Sequence, residues 1–146
     1  MRICSINIQR GLKGKIDVIE CMLAEKKIDV ISVIEADLGP YDIPPAIPGY
    51  KCVPDHSRRI CLYIRDNFTY TLIEYSGSLP AIAISTKKFV IGCIYSQFTK
   101  DAYTSLRSRT TDKERTRDII DFLDWIDSNA KDRQLLVCGD FNIDWL

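Results

Sequence analysis

The sequence has one histidine, His56, and no cysteine pair spaced as C-x-x-C. Its six cysteines, Cys4, Cys21, Cys52, Cys61, Cys93 and Cys138, therefore lack the partners and the spacing of a zinc site. It has no net charge: Lys plus Arg and Asp plus Glu number 20 each. That removes the global basic charge of many nucleic-acid binders, but a cleft can still concentrate positive potential locally. No apolar run approaches the length of a membrane span, so no membrane partner is implied. Met1 is followed at once by what reads as a core strand, which leaves no room for a signal peptide. There is no internal repeat, low-complexity tract or linker.

What is present suits one domain. A chain of 146 residues that is 46% apolar buries a core without disulfides or a structural metal. Cys4, Cys61, Cys93 and Cys138 sit in apolar runs that read as strands. The six thiols read as free and buried, in a reducing compartment: inside the cell, cytoplasm or nucleus.

Along the chain, Arg2 to Ile8 reads as a strand. Lys15 to Lys27 carries Ile16, Ile19, Met22 and Leu23 at helical spacing. Ile28 to Ile34 is a β-branched run that suits a strand buried on both faces. This is a βαβ-like start. Gly39 to Gly49 holds Pro40, Pro44, Pro45 and Pro48 and must be a loop, either a connector or a rim beside a site. From Tyr50 to Tyr95 the pattern changes to consecutive strands, of which Ile60 to Ile64, Thr69 to Tyr75, Ala81 to Ser85 and Phe89 to Tyr95 are the clear ones; separated by turn residues, they look like an antiparallel meander. After the polar stretch 97–111, Thr111-Asp112-Lys113-Glu114 fits a capping box. The helix behind it places Ile119, Phe122, Leu123 and Ile126 on one face. Gln134 to Cys138 reads as a last buried strand. The fold class is α/β (α+β), with a mixed sheet flanked by helices.

In such folds reactive groups gather where strands end. Four positions close apolar runs with polar groups: Asn7, Glu35, Tyr95, and Asp140 with Asn142. Two strand-end acids suit a hard cation, since Mg2+ takes one or two carboxylates with water and phosphate. Neutral Asn and Tyr donors can hold phosphate oxygens. Singly, Glu35 reads as a solvated strand-end carboxylate, Asp140 as a turn former beside Gly139, and Tyr95 as a half-buried aromatic. Lys100, Arg107, Arg109, Lys113, Arg115 and Arg117 follow Tyr95. They read as a solvated helix face diluted by Asp112, Glu114 and Asp118, or as contacts to DNA phosphates.

Ser5-Ile6-Asn7-Ile8-Gln9-Arg10-Gly11-Leu12, Val33-Ile34-Glu35, Ile94-Tyr95 and Gly139-Asp140-Phe141-Asn142 occur in this order. The set resembles the endonuclease/exonuclease/phosphatase family over the whole chain. Arg59-Ile60-Cys61-Leu62-Tyr63-Ile64-Arg65 looks like the endonuclease domains of non-LTR (LINE-type) retrotransposons. The resemblance implies the N-terminal part of a two-sheet α/β sandwich of the DNase I-like type. It also implies a Mg2+-dependent (or Mn2+-dependent) phosphodiesterase that nicks DNA. Glu35 looks like the metal ligand, with Asn7 beside it as a metal and catalytic residue. Asp140 looks like the carboxylate that activates water, and Asn142 and Tyr95 look like donors to the scissile phosphate.

Members of that family continue with further strands, another acid and a catalytic Asp-His pair. None of these occurs in this sequence, and His56, in Pro54-Asp55-His56-Ser57-Arg58, reads as an ordinary loop histidine. The expectation is thus a single C-terminally truncated domain over residues 1–146, weak or inactive alone. It would associate as a homodimer or with a complementing C-terminal fragment, and apolar Trp145 and Leu146 fit such a terminus. Two rival readings remain. One is a related phosphoesterase acting on a phosphoinositide, lipid or nucleotide; the other is an inactive interaction module that keeps the family core.

Overall fold

The computed structural model describes residues 1–96 and 112–142. The elements are β1 (Ile3–Asn7), a 3-10 turn (Leu12–Lys15), α1 (Ile16–Lys26), β2 (Val30–Ile34), β3 (Tyr50–Pro54), β4 (Ile60–Arg65), β5 (Thr71–Ile73), β6 (Ala81–Ser85), β7 (Phe89–Tyr95), α2 (Asp112–Ala130) and β8 (Gln134–Asp140). They form two four-stranded sheets, ordered β1-β2-β4-β3 and β5-β6-β7-β8. β1 runs parallel to β2 and β7 parallel to β8, while the other pairs are antiparallel. Both sheets are therefore mixed, as expected for a DNase I-like sandwich.

Side-chain alternation sorts the apolar residues into layers. Ile31 and Val33 of β2 and Cys61 and Tyr63 of β4 pack with Leu12, Ile19 and Leu23 under α1. Val30 and Ile34, with Ile60, Leu62 and Ile64, face the second sheet and meet Ile82, Ile84, Ile91, Cys93 and Tyr95. Ala81, Ala83, Val90 and Ile94 face outward and pack with Ile119, Phe122 and Ile126 of α2. The order of layers is helix, sheet, sheet, helix. Each Ile or Leu removed from water in these layers stabilises the fold by roughly 1.5–3 kcal/mol before entropy is counted. α1 ends where Lys27 turns left-handed at φ 51 and its N–H bonds Leu23 O.

The structure revises several expectations. The meander is split: β4 pairs with β2 and β3 in the first sheet, and only β5, β6 and β7 form a meander in the second. β3 opens the Tyr50 to Tyr95 strand region but was not singled out within it, and the Thr69 to Tyr75 strand contracts to Thr71–Ile73. β8 is not a buried strand over its first half. Among the described strands it is an edge strand, and Leu135 and Leu136 are 36% and 40% exposed. An apolar run reports the capacity to be buried, not the presence of a covering layer. Leu123, expected on the buried face of α2, is 37% exposed, whereas Ile119, Phe122 and Ile126 are buried. All six cysteines are free, but Cys21 is exposed and only Cys61 and Cys93 are fully buried. Gly39 to Gly49 is a loop whose one ladder contact is an isolated bridge from Ile47 to Tyr50. Lys100, Arg107 and Arg109, the Thr111 of the capping box, and Trp145 and Leu146 lie outside the described residues.

Candidate active site

Parallel pairing delivers the C-terminal ends of two strands to one place, and the sandwich does this twice. In the first sheet Asn7 pairs with Ile34, so the residue after Ile34, Glu35, emerges beside Asn7. In the second sheet Tyr95 pairs with Asp140. The ends of β1, β2, β7 and β8 then meet across the sandwich, and all five residues singled out from the sequence lie there.

Asn7 is the hub. Its Nδ2 donates to Glu35 Oε1 at 2.9 Å and to Asp140 Oδ2 at 2.9 Å. Its Oδ1 accepts from the backbone N–H of Gln9 at 2.8 Å. Only the amide nitrogen can face two carboxylates, so the Asn orientation follows from its partners. Tyr95 Oη donates to the same Glu35 oxygen at 3.1 Å. Asp140 Oδ1 accepts from the Asn142 backbone N–H at 3.1 Å. Glu35 Oε2 has no hydrogen-bond donor among the described residues, and neither Glu35 nor Asp140 forms an ion pair with a described cation.

Two carboxylates on one amide repel. Hydrogen bonds to charged groups return roughly 1.5–3 kcal/mol each, and the Asn7 amide makes one to each acid, which works against that repulsion. The paired carboxylates concentrate negative potential at these strand ends.

Backbone geometry holds the acids in place at a cost. Glu35 sits at φ 58 and Asn142 at φ 47, the left-handed region that costs a non-glycine residue roughly 1–2 kcal/mol. Gln9, Arg10 and Gly11 follow Asn7 at φ 51, 71 and 76. Such clustered outliers are a mark of functional loops. Gly139 is required for a different reason: a Cβ there would lie 2.0 Å from Ile94 O, and its φ is 142. Its side-chain-free backbone lets β8 run close against β7 just before Asp140.

Two expected phosphate donors are engaged within the protein. Tyr95 holds Glu35, and Asn142 Nδ2 donates to Ser96 O at 2.5 Å. Asn142 retains a second amide hydrogen for a ligand. The sequence reading missed three neighbours. Ser96 donates its backbone N–H to Asp140 O at 2.8 Å; a main-chain contact leaves no side-chain signature. Arg59 lies over the Tyr95 ring, 5.9 Å from its centroid, and pairs with Asp37 at 3.3 Å. Arg10 pairs with the other Asp37 oxygen at 3.0 Å. The signal was present in Arg59 closing a turn next to an apolar strand and in Asp37 two residues after Glu35. His56 lies on the β3–β4 turn with Asp55 as its nearest ionic neighbour, and no hydrogen bond links it to the five site residues.

The residues fit a hard divalent cation. Among the described residues no cluster of three or more His, Cys, Asp or Glu side chains can enclose a metal. As it stands Asn7 turns its N–H group to both acids and gives its Oδ1 to Gln9 N–H, so the oxygen donors are the two carboxylates, one with an unused oxygen. That matches Mg2+, which keeps much of its water and adds substrate phosphate.

The chain is similar to the crystal structure of humanized D. rerio TDP2 by 14 mutations, at TM-score 0.63 and 15% identity. The match covers 97% of this chain and 62% of that one, and it shows the two-sheet fold. A search of curated proteins found no match. The family described as Endonuclease/Exonuclease/phosphatase family matches residues 4–145, a span that runs from the second residue of β1 through β8 and includes every site residue named above. This chain belongs to the endonuclease/exonuclease/phosphatase family.

Proposed function

We propose that the site binds Mg2+, with Mn2+ as a substitute, and hydrolyses phosphodiester bonds of DNA to leave a nick. The observation that carries this is the Asn7 amide joining Glu35 and Asp140, two acids with no described counter-cation. Glu35 would hold the cation, and Asn7 would join it once its amide turns over to present Oδ1 in place of Nδ2. A cation held there would polarise a phosphoryl oxygen and offset charge as the bond breaks. Asp140, fixed by Asn7 and by the Asn142 N–H, orients a water and accepts its proton. Asn142 donates its second amide hydrogen to the phosphate, and Tyr95 keeps Glu35 in place or turns its hydroxyl to a phosphate oxygen.

DNA is favoured over other phosphoesters by the likeness of Arg59 to Arg65 to retrotransposon endonucleases. Arg59 also lies over the Tyr95 ring and shares Asp37 with Arg10, which puts two cations close to the site where a polyanion backbone would pass. Asp140 serves as the base, but no imidazole is bonded to the site residues to protonate the leaving oxygen. Lacking such a general acid typically costs ~10²–10⁴-fold, so slow turnover is expected. Six free thiols support a reducing compartment, cytoplasm or nucleus. Among the described residues no helix is long and apolar enough to cross a membrane. β8 pairs only with β7 among the described strands and exposes Leu135 and Leu136, which supports association with a second copy or a complementing fragment.

The test is supercoiled plasmid incubated with the chain and Mg2+, run beside inositol phosphate and phospholipid substrates. Slow nicking that Asp140→Asn abolishes is expected. Nicking that persists in Asp140→Asn, or hydrolysis of the lipid or inositol substrate alone, would contradict the assignment.

A further inference from the structure

Cys93 on β7 and Cys138 on β8 are register partners in the parallel pair, with their Sγ atoms 3.4 Å apart. Neighbouring strands place directly paired Cα atoms about 4.8 Å apart, inside the 4.4–6.8 Å window that a disulfide needs. Both side chains lie on the face toward the first sheet, in the central core layer. Closing the bond requires only the two sulfurs to approach, to about 2.05 Å, with no change of register.

The other close thiols are placed differently. Cys52 pairs with Tyr63, and Cys61 pairs with Pro54, so Cys52 and Cys61 are diagonal neighbours. Diagonal Cα atoms stand ~7–8 Å apart, beyond disulfide range without backbone movement. Cys21 is exposed on α1. Cys4 on β1 lies near enough that burial first, and then the Cys138 thiol, push the Cys4 thiol up, but it is not a register partner of Cys138. Access also differs within the first pair. Cys93 is fully buried, whereas Cys138 is half-buried on an edge strand.

We propose that Cys93 and Cys138 are a redox-modification site that closes to a disulfide when the protein meets a peroxide. In the first step the Cys138 sulfur attacks one peroxide oxygen: an S–O bond forms, the O–O bond breaks, and the leaving hydroxide takes the thiol proton as water. In the second, the Cys93 sulfur attacks the Cys138 sulfenic sulfur. The S–S bond forms, the S–O bond breaks, and a second water leaves with the Cys93 proton. Two thiols are oxidised and one hydrogen peroxide is reduced to two waters.

The position gives the bond a consequence. Tyr95 and Asp140 are also register partners, two residues beyond the thiols on the same face. The disulfide ties the exposed edge strand that carries Asp140 to the strand that carries Tyr95, one pleat repeat before the candidate site. The thiol chemistry stands independently of the proposed phosphodiesterase.

The test uses the full chain, dilute, treated with hydrogen peroxide, alkylated, and digested without reductant. Mass spectrometry is expected to find a peptide joining Cys93 to Cys138 and lighter by two hydrogens. Amide exchange along β8 is expected to slow by roughly tenfold, because the opened state is constrained. Cys93→Ala should leave Cys138 at the sulfenic or further oxidised stage. If that variant does not fold, the wild-type peptide map still decides. Cys138 oxidised past the sulfenic stage with Cys93 a free thiol, a cross-link between chains, or a Cys52–Cys61 bond formed first would overturn the proposal.

Discussion

At the scale of residues, Asn7 decides how the two acids coexist. It is a neutral group with exactly as many amide hydrogens as there are carboxylates to bridge. Asn7→Ala should leave Glu35 and Asp140 facing each other without a shared donor. The expected loss of stability is about 2–3 kcal/mol, measured by urea denaturation in EDTA. Glu35→Gln should do the reverse. It removes the like-charge repulsion while keeping the size of the side chain, so stability in EDTA should rise by about 0.5–2 kcal/mol. A purely structural Glu35 would instead be destabilised by the change. The residue types were legible in the sequence, because each polar group closes an apolar run. What the sequence could not give is that Tyr95 and Asn142 spend hydrogen bonds inside the protein, on Glu35 and on Ser96 O. Those bonds depend on how two sheets meet, and no local pattern encodes that distance.

At the scale of elements, glycine marks two close approaches of β7, one to α2 and one to β8. A Cβ at Gly92 would lie 2.1 Å from Ile126 Cδ1 and 3.0 Å from Phe122 Cζ, so β7 meets α2 there with no room to spare. Gly92→Ala forces two side chains of α2 to shift and should cost about 1–3 kcal/mol by thermal or urea unfolding. At Gly139 the obstacle is the backbone of Ile94, which cannot move aside. Gly139→Ala should be the more damaging of the two, and its exchange-protection loss should centre on β7 and β8. Equal effects in the two variants would contradict this reading of the β7–β8 pair. Periodicity located β1, α1, β2, β4, β6, β7 and the apolar stripe of α2. It did not single out β3, because Tyr50–Pro54 contains a lysine, a half-buried cysteine and a terminal proline and shows no sustained alternation. It also placed β4 in one meander with β5, since sequence neighbours usually pair; here the chain crosses from one sheet to the other between Arg65 and Thr71.

At the scale of the whole molecule, the sandwich brings four strand ends into one site while leaving β8 at an edge with exposed Leu135 and Leu136. Sedimentation velocity should show concentration-dependent association, weakened by replacing both leucines with glutamate; a monomer at every concentration would remove the proposed partner. The fold class was legible because every layer needs apolar residues at the right period. The openness of β8 was not, because exposure is a property of neighbours. The central claim is that Asn7, Glu35 and Asp140 form a divalent-cation site, and the most direct measurement is Mn2+ titration followed by nuclear magnetic resonance. Amide signals of Asn7, Glu35 and Asp140 should broaden first, excess Mg2+ should restore them, and Glu35→Gln should abolish the effect. Broadening that begins elsewhere, or that is unchanged in Glu35→Gln, would contradict the account.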